Sequence, residues 1–135
     1  MILKNIPESH SDLIGDESPA YAYLATIMQD GTPQLTPVWF NTDGEYILIN
    51  SAKGRVKDKN MRSRPQVALV IHDPKNPYRY IQVRGKIAEI SGEGARQHIN
   101  DLALKYTGKA GFSLKDPNEV RLIYKLLIEK VQVLG

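Results

Sequence analysis

The chain has 135 residues, a formal charge of +3, 41% hydrophobic and 24% charged residues, and no cysteine. That length suits one domain, residues 1–135, burying roughly two-thirds of its unfolded surface, enough for a core without staples. Disulfides and thiolate chemistry are excluded, and no stretch approaches the ~20 apolar residues of a membrane span.

The opening "MILKNIPESH" has no long apolar run and no cleavage pattern, so no signal peptide is expected. The absence of cysteine fits a cytoplasmic location. Ser9 or Ser11 is expected to cap a short helix ending near Gly15. Residues 20–28 are apolar with strand-forming Tyr, Thr and Ile, and Asp30-Gly31 signals a hairpin turn. Residues 34–40 alternate up to a second turn at Asp43-Gly44. "EYILINS" follows as a third strand of the meander, with Tyr46, Leu48 and Asn50 on one face and Ile47, Ile49 and Ser51 on the other.

Residues 54–64 are too polar for a core strand and form a short helix stopped by Pro65, because the residue before proline avoids the helical region. "QVALVIHD" is a nearly all-apolar strand expected to be buried on both faces. "DPKNPY" is a turn. "RYIQVRGKIAEIS" is a long strand bent or bulged at Gly85, with Tyr80, Gln82 and Arg84 wet and Ile81 and Val83 dry. "GEGARQHINDLALKYTG" has helical spacing at Ala95, Ile99, Leu102, Ala103 and Tyr106, with Gly108 placed to end it. "GFSLKDPNEV" is a loop, and "LLIEKVQVL" reads as the last strand. Short turns and no βαβ rhythm make this a mainly β chain with short helices, an antiparallel barrel or sandwich.

Several chemistries lack support. The histidines, His10, His72 and His98, stand far apart in sequence without a metal-binding spacing. There is no G-x-S-x-G and no P-loop. Glu89, Glu93 and Asp101 read as surface carboxylates, so no catalytic residue is nominated. If the chain is an enzyme, a cofactor carries the hard chemistry.

"SAKGRVKDKNMRSRP" is the anomaly. Lys53, Arg55, Lys57, Lys59, Arg62 and Arg64 face one acid, Asp58, a local charge of +5. The whole chain carries +3, so the rest of it sums to −2. A solvated helix face, a nucleic-acid contact and a phosphate cradle all fit charge alone. Against nucleic acid, no aromatics interleave with the basic residues. For phosphate, Lys53, Arg55 and Lys57 recur at every second position around Gly54, beside Asn50 and Ser51 and at a helix entry that favours anions. Arg55 forks to phosphate oxygens and Lys57 adds a point charge.

The ordered motifs "LATIMQDGTPQLTPVWF", "LINSAKGRVKDKNMRSRP" and "DPKNPYRYIQVRG" resemble the pyridoxamine 5′-phosphate oxidase-like family of FMN-binding split barrels. Within it the chain is most similar to small members described as deazaflavin (F-420)-dependent. The resemblance runs over residues 21–90. It implies a six-stranded antiparallel split β-barrel and a homodimer with cofactor, FMN or alternatively F-420, at the interface. It implies a phosphate-binding pair at Arg55 and Lys57, with Val56 between them also against the cofactor, Asn50 and Ser51 beside the ribityl chain and phosphate, and a ring site along Thr36, Pro37 and Val38. Asn60 is implied mainly to hold its helix to the barrel, and Trp39 to be core or dimer interface, or alternatively to stack on the cofactor ring. Tyr78, Arg79 and Arg84 either face the partner's site or form a dimer salt bridge. Lys59, Arg62 and Arg64 are left as the outer, solvated helix face, with Lys59 and Arg62 alternatively a basic track for the longer tail of F-420. The implied activity is hydride transfer to or from a small organic substrate, or alternatively FMN binding and storage without turnover. The Arg- and His-rich C-terminal segment of full-length oxidases has no counterpart here, so vitamin B6 oxidation itself is not expected. Neither nucleic-acid nor membrane partners are expected.

Overall fold

Period-two apolar alternation draws most of this chain into strands. The computed structural model describes residue 3 and residues 5–135, and its strands form one seven-stranded antiparallel sheet. They are β1 (Ala22–Ile27), β2 (Pro33–Val38), β3 (Phe40–Thr42), β4 (Ile47–Ala52), β5 (Gln66–Asp73), β6 (Asn76–Ser91) and β7 (Arg121–Leu134). Two helices, α1 (Val56–Ser63) and α2 (Ala95–Thr107), and a 3-10 helix, Glu8–Leu13, complete the elements.

The sheet order is β2-β1-β5-β6-β7-β4-β3. Its two edges, β2 and β3, are joined in the chain by Trp39 alone. Two peptide steps reach no further than about 7 Å. The sheet therefore curls until its edges meet at Trp39. The six strands that the resemblance implies are seven, and the expected three-strand meander is broken, for the same reason. The strand expected over residues 34–40 pairs with β1 before Trp39 and with β4 after it.

Side chains of α2 tie the seam. The Tyr106 hydroxyl accepts the Phe40 N–H at 3.3 Å and donates to the Ala20 carbonyl at 2.8 Å. Lys105 Nζ donates to the Phe40 carbonyl at 2.9 Å. Both turns read from the sequence form. Gly31 takes a φ of 87° between β1 and β2, and Asp43 Oδ1 accepts the Glu45 and Tyr46 N–H groups between β3 and β4.

Inside the curl, Leu24, Phe40, Ile49, Ile71, Ile81 and Tyr124 are buried, and Met61 of α1 joins them. Ile47, Ile49 and Ser51 point inward along β4, while Leu48 and Asn50 are half-buried, matching the expected faces. Gly85 sits at a bulge. Arg84 pairs with Lys130 and Gly85 with Ile128, leaving Glu129 looped out, and a Cβ at Gly85 would strike the Leu127 carbonyl. Gly108 ends α2 at a φ of 76°.

Four local expectations are corrected. Neither Ser9 nor Ser11 caps the 3-10 helix; Pro7 holds the N-cap position, and the Ser11 hydroxyl donates instead to the Glu8 carbonyl. β5 is buried on one face only: Val67, Leu69 and Ile71 are inside, whereas Ala68 and Val70 line an open outer groove with Tyr23 and Leu35. β6 begins at Asn76, inside the expected turn, because Asn76 pairs with Asp73. β7 starts at Arg121 rather than Leu126, because residues 121–125 pair with β4. Among the described residues, no helix is long and apolar enough to cross a membrane.

Candidate functional site

The basic segment leaves β4 at Ser51, turns at Gly54 with a φ of 91°, and enters α1 with Arg55 at the N-cap. Asp58 fixes that turn. Its buried carboxylate accepts the Gly54 N–H at 2.9 Å, the Tyr124 hydroxyl at 2.7 Å and Arg62 Nη2 at 3.1 Å. Burial pushes the Asp58 pKa up. The bonds from Gly54, Tyr124 and Arg62 outweigh it and hold the acid below its ordinary value.

Arg55 and Lys57 are thereby held beside a cavity of about 310 Å³. Six of the eight site residues expected from the resemblance line it: Pro37, Val38, Asn50, Ser51, Arg55 and Lys57. Thr36 and Val56 do not line it. Thr36 sits in the β1–β2 ladder opposite Leu24, and Val56 opens α1 with its side chain exposed.

The polar end of the cavity has unmet demand. Ser51 Oγ is buried and, among the described residues, has no hydrogen-bond partner. Lys57 is half-buried and, among the described residues, has no ion pair. Its pKa lies below the ordinary lysine value, through burial first and then the charges of Arg55 and Arg121. Arg121, at the start of β7, is buried and lines the same end. One carboxylate, Glu119, accepts from Arg55 at 3.2 Å and from Arg121 at 3.3 Å. Three cations against this single acid leave the end at +2.

Behind this end lies a hydrogen-bonded row. Arg121 Nε donates to Asn50 Oδ1 at 2.8 Å. Asn50 Nδ2 donates to the Ala95 carbonyl at 2.9 Å and to His98 Nδ1 at 3.0 Å. His98 Nε2–H donates to Asn41 Oδ1 at 2.8 Å. A ring that accepts at Nδ1 and donates at Nε2 is neutral, and burial lowers the His98 pKa to about 4. The other cavity wall is apolar and aromatic. Trp39 stacks on Tyr106 at 5.4 Å and meets Phe112 edge-on at 6.2 Å, above Ile99 and Leu102 of α2.

Arg121, Glu119 and Phe112 are absent from the sequence reading, and no local signal marks them. Arg121 reaches the site only because β7 pairs with β4, placing it opposite Ala52. Trp39 is cavity wall as well as seam. Asn60 is structural, donating to Thr26 Oγ1 at 3.0 Å and Met28 Sδ at 3.2 Å. The solvated-face expectation is corrected in part. Lys59 is exposed, but Arg62 pairs with Asp58, and Arg64 Nε donates to the Ile27 carbonyl at 2.8 Å, half-buried. Arg79 pairs within its own chain with Asp12 and Asp73, while Tyr78 and Arg84 are exposed. Among the described residues, no three acids or histidines gather to hold a metal ion.

Comparison with known proteins bears on the fold and the family. The family model for pyridoxamine 5′-phosphate oxidase matches residues 7–135. Among solved structures, an F-420 reductase is similar at 32% identity, covering 94% of this chain and 98% of that one, with a TM-score of 0.80. A conserved hypothetical protein from Mycobacterium tuberculosis is similar at 23% identity over 99% of this chain and 86% of that one, with a TM-score of 0.74. HupZ from Group A Streptococcus is similar at 20% identity over 96% and 94%, with a TM-score of 0.69. At those two identities the likeness is one of fold. No curated protein matches the chain. The curled antiparallel sheet, the cationic cavity end and the match over residues 7–135 make this chain a member of the pyridoxamine 5′-phosphate oxidase family, flavin-related oxidoreductases at the family level.

Proposed function

We propose that this protein is a flavin- or deazaflavin-dependent oxidoreductase acting on a small organic substrate. Ser51, Arg55 and Lys57 hold the cofactor phosphate, and the strand carrying Thr36, Pro37 and Val38 lies along the ring. The observation that carries this reading is the paired demand at one end of the cavity: the buried Ser51 hydroxyl and the half-buried Lys57 ammonium, neither of which has a hydrogen-bond or ion-pair partner among the described residues. A phosphate meets both, since its oxygens accept from the Ser51 hydroxyl and pair with Lys57 and Arg55.

FMN and F-420 both present a ribityl phosphate, so both suit this end. Either, when bound, supplies hydride transfer at its ring. The resemblance to FMN-binding split barrels supports FMN, and the similarity to an F-420 reductase at 32% identity supports the deazaflavin. The chain's own residues do the positioning. Trp39, Ile99, Leu102 and Phe112 give the ring an apolar wall that excludes water, and the α1 entry fixes the phosphate. The functional unit is a homodimer, whose supporting feature is the open apolar groove along Tyr23, Leu35, Ala68 and Val70.

Trp39 is the only tryptophan in the sequence and lines the cavity, so its fluorescence reports occupancy. Titration with FMN or F-420 is expected to quench it saturably. Arg55→Ala and Lys57→Ala are each expected to weaken that binding roughly 10-fold or more, the worth of one charge-assisted hydrogen bond. If neither cofactor binds the wild-type protein, the reading falls.

A further inference from the structure

We propose that Arg121 is the innermost anion anchor of the cavity, and that Asn50 and Glu119 serve the ligand only by positioning it. This rests on the phosphate reading above.

Arg121 is the most enclosed cation of the three, its side chain 3% exposed against 44% for Arg55. Its guanidinium is held from two directions. Nε is bonded to Asn50, Nη1 to Glu119, and the Phe112 ring covers it at 5.1 Å. Among the described residues, nothing accepts from Nη2. A planar fork with two nitrogens tethered keeps its third pointed in a fixed direction, and Arg121 lines the cavity.

The tethers are fixed in turn. His98 donates from Nε2 to Asn41, so its Nδ1 is an acceptor. That acceptor, together with the Ala95 carbonyl, takes the amide hydrogens of Asn50. Asn50 therefore cannot flip, and its oxygen must face Arg121. No amide hydrogen of Asn50 is left for a ligand, although the residue lines the cavity. Glu119 is similarly engaged, by Arg55, Arg121 and the Lys115 N–H at 3.0 Å. It does not line the cavity, so it touches ligand only through the two arginines.

One carboxylate shared by two guanidiniums leaves both short of negative charge. A buried cation in that position is completed by an anion entering from the cavity. The ligand class is thus a small molecule with an aromatic ring and a phosphate, gripped by Arg121 from within and by Arg55 and Lys57 at the mouth.

The test compares whichever of FMN and F-420 the wild-type protein binds with its phosphate-free counterpart, riboflavin or the deazaflavin riboside, by Trp39 quenching. Arg121→Lys is expected to weaken the phosphorylated ligand roughly 10- to 100-fold and to leave the phosphate-free one within about 2-fold. Asn50→Ala is expected to weaken the phosphorylated ligand in the wild-type background and to change nothing further in the Arg121→Lys background. The proposal is overturned by wild-type affinity in Arg121→Lys, or by losses from Asn50→Ala and Arg121→Lys that add. Should the lysine variant not fold, the wild-type protein decides. Arg121 Nε–H is buried and bonded to Asn50, so its NMR signal exchanges slowly and is lost in Asn50→Ala. The phosphorylated ligand must shift that signal and the phosphate-free one must not; equal response to both overturns the proposal. Failure of the wild-type protein to bind either ligand removes the phosphate reading as well, whereas binding with an unaltered ratio in Arg121→Lys removes this proposal alone.

Discussion

His98 is buried beneath the cationic end and hydrogen-bonded at both ring nitrogens in its neutral form. Protonation would turn Nδ1 into a donor facing the Asn50 amide hydrogens, close to the Arg121 charge. Burial, with Arg121 adding to it and Asp101 opposing, lowers its pKa to about 4 from an ordinary 6.5. Depression of a basic group has a definite sign in stability. Above about pH 6.5 both folded and unfolded chains carry neutral His98, and nothing is lost. Below it the unfolded chain takes up the proton and the folded chain does not, so stability falls with pH until the folded ring also titrates near 4. Between pH 7 and pH 5 this one residue costs about 2 kcal/mol. Urea unfolding at the two pH values should show that loss in the wild-type protein and a smaller one in His98→Gln, which has no titrating ring. Equal pH dependence in both would mean that His98 is not held neutral.

Helix α1 has eight residues, too few to be stable alone, so its place depends on what ties it down. Met61 packs into the core, Asn60 reaches β1, and Asp58 draws in the Gly54 turn, Tyr124 of β7 and Arg62. Asp58→Ala leaves a buried tyrosine hydroxyl and the Gly54 N–H without their acceptor and is expected to cost about 3 kcal/mol. Because Gly54 sets where Arg55 and Lys57 begin, cofactor affinity should fall in the same variant even well below its melting temperature. Thermal unfolding and a Trp39 titration on one sample check both effects. Element boundaries were legible wherever a local residue enforces them: Asp30-Gly31, Asp43-Gly44, Pro65, Gly85 and Gly108 all act where expected. The basic pair and Ser51 were legible too, since they follow one another along β4 and α1. The edge change at Trp39, the Asp58 tie to Tyr124 and the arrival of Arg121 beside Asn50 were not. Each is fixed by pairing between segments more than 60 residues apart, or by closure of the whole sheet, and neither leaves a mark in a local window.

Closing the curl at Trp39 gathers the seam, the aromatic wall and the cationic end on one side, and leaves another side uncovered. The outer face of β2, β1 and β5 carries Tyr23, Leu35, Ala68 and Val70 around an open groove of about 390 Å³, and Leu35 is 67% exposed. An apolar face of that kind is unfavourable in water and suits a second copy of the chain. Along β2 the exposed positions are Pro33, Leu35 and Pro37, so Leu35 shares a strand face with Pro37, which lines the cofactor cavity. A partner seated on Leu35 would therefore also close the cavity near Pro37. Light scattering of the wild-type protein at micromolar concentration is expected to give a dimer. Leu35→Glu places two carboxylates against each other across a symmetric interface and should give a monomer. Leu35 does not line the cavity, so a cofactor affinity that falls roughly 10-fold or more together with the loss of the dimer would trace to the missing partner. A wild-type monomer, or a Leu35→Glu monomer that binds cofactor undiminished, would place the complete site within one chain.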